Sequence, residues 1–165
     1  VLPPEGIFWT DMATPSYIGI SEYQAREPLT FLHPVGFGTL GVALPGAIGS
    51  IVSSPERKVC AMAEDGGFQF TLQELAIASE LQLPLPVILW NDRGYGEIKR
   101  NQSQKSPSRV IAVDHEGIDF QALAKAYHMR GVRLGSVESL GELLAESLES
   151  KGPTLIEIDV KECLE

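Results

Sequence analysis

Short apolar runs alternate along the chain with longer segments in which apolar residues recur at helical spacing. Residues 7–10, Ile-Phe-Trp-Thr after Gly6, predict a first strand. Residues 29–32, 58–63, 85–90, 131–134 and 154–160 predict five more. The run 85–90 is apolar throughout, as expected of a strand covered on both faces. Between these lie predicted helices. One starts at Thr14 or Ser16 as cap, with Pro15 in its first turn, and runs to about Ala25. A small-residue helix spans 42–53, and another spans 71–81 with Leu72, Leu75, Ala76 and Ser79 on one face. Two more span 120–127 and 138–149. Repeated strand–helix units imply a three-layer α/β/α fold around a mainly parallel six-stranded sheet. In such sheets ligands collect at the carboxyl ends of the strands.

One stretch breaks the rhythm. Residues 101–116 are polar, rich in Ser, Gln and Lys, and carry Pro107, which predicts either a mobile surface loop or a functional lid.

Composition narrows the function classes. The 165 residues fit one domain, 44% hydrophobic and 21% charged, with enough apolar material for a core. A net charge of −9 argues against a nucleic-acid surface or an anionic membrane, and leaves room for one local phosphate site built from backbone N–H groups and a cation. Cys60 lies in an apolar run and Cys163 near the end, so no disulfide framework is expected and a reducing, cytoplasmic compartment fits. No apolar run has the length of a membrane helix, and no signal peptide is visible. The chain opens on Val1 without an initiator Met, and reads as a piece or processing product of a longer protein.

The candidate chemistry sits in two strand ends. Cys60-Ala61-Met62-Ala63 leads into Glu64-Asp65-Gly66-Gly67-Phe68, and Val87-Ile88-Leu89-Trp90 leads into Asn91-Asp92-Arg93-Gly94. Neighbouring parallel strands would bring Asp65 and Asp92 together. Two carboxylates beside a glycine turn at a helix start suit a hard divalent cation bound to a phosphate. Either half alone reads equally as turn formers after a strand.

Together these motifs resemble the diphosphate-binding domain of thiamine diphosphate enzymes, whose signature is Gly-Asp-Gly, a spacer, then Asn-Asn. The likeness is to the acetolactate synthase and 2-oxo acid decarboxylase group, and it covers nearly the whole chain. Its core runs from Glu64 to Glu97, supported upstream by Gly36-Phe37-Gly38-Thr39-Leu40-Gly41. The resemblance implies a thiamine diphosphate-binding fold, with residues 1–165 as the single C-terminal domain of a longer enzyme. It implies that Mg²⁺ is held by Asp65, Asp92 and the carbonyl of Gly94. It places Gly66, Gly67 and Thr14 on the diphosphate, with Ser16 a weaker candidate, and Tyr95 among the cofactor-binding residues. It places Gly38, Thr39 and Leu40 on the aminopyrimidine, Leu40 being the bulky residue that bends the cofactor and brings its base against its reactive carbon.

Two positions depart from the signature. Glu64 stands for the first Gly; strand alternation turns it away from Asp65, onto the neighbouring surface. Asp92 stands for the second Asn and adds negative charge. Glu97 opens the segment that borders the family's substrate pocket. It is either a proton relay or a site for a cationic substrate tail such as a guanidino group, or a first-turn residue favoured by the helix dipole. His33 either faces the site or packs at a strand end, while His115 and His128 carry no motif.

The resemblance implies decarboxylation of a small 2-oxo acid. The alternatives are carboligation of the acetolactate synthase type, and a binding or regulatory domain that has lost catalysis. No Gly-x-Gly-x-x-Gly run opens a helix after a strand with an acidic residue at the distance a dinucleotide module needs. The glutamate that activates the cofactor in the family belongs to a pyrimidine-binding domain, usually of a second subunit. The intact enzyme is therefore expected to be a homodimer or homotetramer, and the fragment alone catalytically silent.

Overall fold

The computed structural model describes residues 1–115 and 118–164. Six strands form one sheet: β1 (Ile7–Thr10), β2 (Phe31–Leu32), β3 (Val59–Glu64), β4 (Pro86–Asn91), β5 (Arg130–Arg133) and β6 (Thr154–Asp159). Their order is β2-β1-β3-β4-β6-β5, and every pairing is parallel. The expected three-layer, six-stranded architecture is what the chain adopts.

Successive residues of each strand face opposite layers. Val59, Ala61, Ala63, Val87, Leu89 and Leu155 enter one apolar cluster; Cys60, Ile88, Ile156 and Ile158 enter the other. The first is covered by α2 (Ala43–Ser53), α4 (Leu75–Glu80) and α6 (Phe120–Ala126), through Leu44, Ala47, Leu75, Ala78, Phe120 and Ala124. The second is covered by α7 (Leu140–Leu148) through Leu143, with Leu140 and Leu144 packed against it. All six residues of β6 are buried, which explains why the central strands read as apolar runs. Four shorter or more exposed helices complete the chain: α1 (Thr14–Glu22), α3 (Asp65–Phe68), α5 (Gly96–Lys105) and α8 (Val160–Leu164). Among the described residues no helix is long and apolar enough to cross a membrane.

The structure shortens or divides several elements expected from sequence. The first helix stops at Glu22, because Tyr23 is already extended. Neither Thr14 nor Ser16 caps it. Ala13 holds the N-cap position, and no side chain of that residue closes the turn. The second strand shrinks to Phe31–Leu32, preceded by Leu29 at φ +59°. The helix expected over 71–81 begins as a 3₁₀ turn, Leu72–Glu74, and its buried face is Leu75 and Ala78, while Ala76 is exposed. The helix expected from Glu138 likewise begins as a 3₁₀ turn and is α-helical from Leu140.

Residues 101–116 differ most from expectation. Their first part is the end of α5, and Pro107–Arg109 forms a 3₁₀ turn. No residue of α5 is buried, so it carries no apolar stripe to announce it. Side chains on its own surface support it instead: Arg100 and Asn101 bond Glu97, and Lys99 reaches Asp114 at 2.6 Å. Glu116 lies outside the described residues.

Candidate functional site

β3 and β4 are adjacent, with Glu64 paired to Trp90, so both strands deliver their next polar residues to the same edge. Asp65 opens α3 and is 1% exposed; Asp92 follows β4 and is half-buried. Their carboxyl groups lie close enough to perturb each other's ionisation. Burial, with the charge of Asp92 beside it, pushes the Asp65 carboxyl up to about 7. Burial also raises Asp92, against the easing effect of Asp65 and of the N–H of Gly94. One oxygen of each, Oδ1, is buried without a partner. Two such oxygens are a poor arrangement for bare anions and a good one for a divalent cation. Among the described residues no three His, Cys, Asp or Glu side chains cluster as a metal centre, so the ion would draw its remaining ligands from backbone, water or a bound phosphate.

The glycines make room around this pair. A Cβ on Gly66 would lie 2.7 Å from the ring of Tyr95 and 2.8 Å from Nε2 of His115. A Cβ on Gly96, where α5 starts, would collide with Oδ2 of Asp92 and lie 3.7 Å from Oγ1 of Thr14. Gly94 is buried and held from behind by a strap. Tyr95 N–H donates to the carbonyl of Val113, and His115 N–H donates to the carbonyl of Arg93. A cavity of about 550 Å³ opens on the α1 side, lined by Thr14, Tyr17, Asp92, Gly96, Glu97 and Arg100. Another of about 510 Å³ opens on the β6 side. Of the cations that line it, Arg93, Arg133 and Lys99 are already paired, with Asp159, Glu157 and Asp114.

The upstream glycine segment reaches the same place. Gly38 and Gly41 take φ +70° and +80°, which favours glycine at both. Leu40 comes down over Gly67, 3.5 Å from where its Cβ would stand, while Thr39 is exposed. Asp11, missed by sequence reasoning, fixes this segment. Its buried carboxylate accepts the N–H groups of Gly41 at 3.0 Å and Ala43 at 2.8 Å. Burial raises Asp11 despite those bonds. The signal was present, since Asp11 is also an acidic residue just past a strand.

Three expectations are altered by the geometry. Glu64 was expected on the surface; it is 5% exposed and accepts the N–H of Thr14 at 2.5 Å. Burial pushes it up to about 7, with the charge of Asp92 adding and the Thr14 bond opposing. The N–H of Thr14 is thereby engaged, and only its hydroxyl faces the cavity side near Gly96. Glu97 is held in a fork by Arg100, at 2.7 and 2.9 Å, and its carboxyl is kept below the usual range mainly by that bond. His115, given no role from sequence, meets Tyr95 edge-on at 4.6 Å and keeps a buried, unpartnered Nε2 beside Gly66. His33 bonds Thr10 Oγ1 through Nδ1 at 2.8 Å, as a strand-end residue would.

Comparison with known proteins adds an independent line. Residues 14–158 match the C-terminal TPP-binding domain of thiamine pyrophosphate enzymes. The chain is 37% identical over 138 residues to an acetolactate synthase of Bacillus subtilis (strain 168), covering 84% of this chain and 24% of that protein. It is 38% identical over 161 residues to a probable 2-ketoarginine decarboxylase, AruI, of Pseudomonas aeruginosa, covering 95% of this chain and 28% of that one. Its fold matches a thiamine diphosphate-dependent 4-hydroxybenzoylformate decarboxylase of Rhodococcus jostii RHA1 with a TM-score of 0.85 at 26% identity, over 96% of this chain and 30% of that one. The chain thus spans about a quarter to a third of the length of these relatives.

Proposed function

The chain belongs to the thiamine pyrophosphate enzymes, matching their C-terminal TPP-binding domain, and from that premise we propose that it holds the diphosphate and metal half of an active site that decarboxylates a small 2-oxo acid. The observation that carries this reading is the convergence of two unpartnered carboxylate oxygens, on Asp65 and Asp92, beside the Gly66-Gly67 turn. Asp65, Asp92 and the carbonyl of Gly94 would hold Mg²⁺. The amides of Gly66 and Gly67, the Thr14 hydroxyl and Tyr95 would border the diphosphate, and Gly38, Thr39 and Leu40 the pyrimidine.

Bound there, the cofactor would supply a nucleophilic carbon and an electron sink for loss of CO₂. The residues of this chain do the positioning. A cation at Asp65 and Asp92 would offset the burial that raises both carboxyls and let both carry full charge. Asp11 holds the Gly38–Gly41 turn against α2, so Leu40 stays over Gly67. The strap through Val113 and His115 fixes the backbone at Gly94, where the carbonyl ligand is placed.

The chain is read as one C-terminal domain of a longer, cytoplasmic enzyme, completed by a pyrimidine-binding domain of a second subunit in a homodimer or homotetramer. The likeness to the Bacillus subtilis acetolactate synthase supports a second reading, carboligation rather than simple decarboxylation. The likeness to the 2-ketoarginine decarboxylase supports a cationic substrate tail, and Glu97 lines the cavity where one would arrive.

Calorimetric titration of Mg²⁺ with thiamine diphosphate into the intact protein tests the site. Binding is expected for the wild type and lost in Asp65→Ala; equal binding by both defeats the assignment. Product analysis with pyruvate alone and with a panel of 2-oxo acids separates decarboxylase from carboligase.

A further inference from the structure

Glu64 and Asp65 are consecutive, and their side chains leave the end of β3 on different sides. Asp65 turns toward Asp92, and Glu64 turns to the first turn of α1 and accepts the N–H of Thr14. That nine-residue helix has no cap from its own N-cap residue, Ala13. Pro15 has no N–H and Ser16 N–H donates to the carbonyl of Ala13 at 2.9 Å, so the Thr14 N–H, with the helix dipole behind it, is the donor this helix start offers to an anion. In this structure the anion is the carboxylate of Glu64.

The same space carries independent marks of a missing ligand. Asp65 is 1% exposed and keeps Oδ1 without a partner, as does Asp92. Thr14 Oγ1 and Asp92 Oδ2 both border the point where a Cβ of Gly96 would stand. The start of α1, the start of α5 and the acidic pair therefore face one another. None of the ion pairs formed among the described residues involves Glu64, Asp65 or Asp92.

We propose that Glu64 is a tethered carboxylate that occupies the Thr14 amide and sets how tightly this site takes a metal–diphosphate complex. This rests on the reading that Asp65 and Asp92 hold the metal of such a complex. A diphosphate arriving at the start of α1 either displaces Glu64 from the Thr14 N–H or lies beside its charge. Both cost binding free energy, so Glu64 weakens uptake. The site also refuses the diphosphate without a divalent ion, since no cationic side chain is paired with Glu64, Asp65 or Asp92 among the described residues to offset its charge.

The test is titration of thiamine diphosphate, with and without Mg²⁺, into the intact protein as wild type, Glu64→Gln, Glu64→Gly and Asp65→Ala. Heat of binding is the readout, so no catalytic activity is needed. Glu64→Gln keeps a hydrogen-bond acceptor for Thr14 and loses only the charge; at about pH 8, where Glu64 is ionised, it is expected to bind the Mg²⁺ complex roughly tenfold more tightly, the effect of one nearby like charge. Glu64→Gly also frees the amide and is expected to bind at least as tightly as Glu64→Gln. Titrant without Mg²⁺ is expected not to bind the wild type. If Glu64→Gln, melting as the wild type does, binds no more tightly than wild type while Asp65→Ala loses binding, this role for Glu64 is overturned and the metal site stands. If Asp65→Ala binds as wild type does, the metal site itself falls, and the role of Glu64 with it.

Discussion

The buried carboxylate of Asp11 accepts the backbone N–H of Gly41 at 3.0 Å, tying the end of the first strand to the turn that carries Leu40. A second bond, from Ala43, fastens the start of α2 to the same side chain. Replacing Asp11 with Ala would leave two buried N–H groups unpaired. The expected cost is about 2–4 kcal/mol, allowing for relief of burying the carboxylate. Urea denaturation of Asp11→Ala against wild type measures it. A loss within error of zero would mean that Asp11 does not hold the turn.

The acidic site sets a pH dependence in the metal-free protein. Asp65 and Glu64 are pushed up to about 7 in the fold, whereas unfolded carboxylates titrate near 4. Between those values the folded chain binds more protons than the unfolded chain. The stability contributed by these groups is therefore present below about pH 4 and lost as pH rises through about 7. Mg²⁺ competes with those protons, so it should raise the melting temperature at about pH 8 and do little at about pH 5. Melting curves at both pH values, with and without Mg²⁺, check this. Stabilisation by Mg²⁺ that is larger at the acid end would contradict the site.

What was legible in the sequence follows from burial. Residues 85–90 lie between two helical layers, and their unbroken apolar run announced the strand; in 154–160 the apolar residues Leu155, Ile156 and Ile158 are interrupted by buried Glu157 and Asp159, which pair with Arg133 and Arg93. Strand polarity and adjacency suffice to bring Asp65 beside Asp92. α5 could not be read to its end, because it buries no residue and its polar surface looks like a loop. Glu64 was misplaced because alternation gives the side of the strand and says nothing of what covers it; the start of α1 covers it. Asp11 carried a local mark, an acidic residue just past a strand, but its partner Gly41, like the neighbour of His115, Gly66, is distant in the chain and no local pattern encodes the contact.

Gly96 offers a test of the metal site that leaves both carboxylates in place. A methyl group there would collide with Oδ2 of Asp92, while the backbone of Gly96 is helical and accepts Ala readily. Gly96→Ala is therefore expected to fold, with Asp92 pushed from its position and Mg²⁺-dependent cofactor binding reduced by about tenfold or more. Calorimetry on Gly96→Ala, beside a thermal melt, separates the two effects. Wild-type affinity in this variant would show that Asp92 need not sit where the structure has it.

Arg100 and Glu97 bear on the substrate. The pair lines the α1-side cavity, and both partners are partly open to solvent, so the bond between them is a weak one. A guanidino group on a substrate could take the place of Arg100 on Glu97, exchanging one forked contact for another of the same chemistry. Arg100→Met removes the internal cationic competitor and leaves Glu97 bonded only by the neutral side chain of Asn101. KM for a 2-oxo acid with a guanidino tail should then fall several-fold, while KM for pyruvate stays as it was or rises. Glu97→Gln should reverse the preference, raising KM for the cationic substrate alone. Steady-state kinetics on the intact enzyme, with both substrates on wild type and both variants, give the six KM values needed. If Arg100→Met moves both KM values together, Glu97 does not read the substrate tail, and its place in the first turn of α5 is explained by the helix dipole and its bond to Arg100.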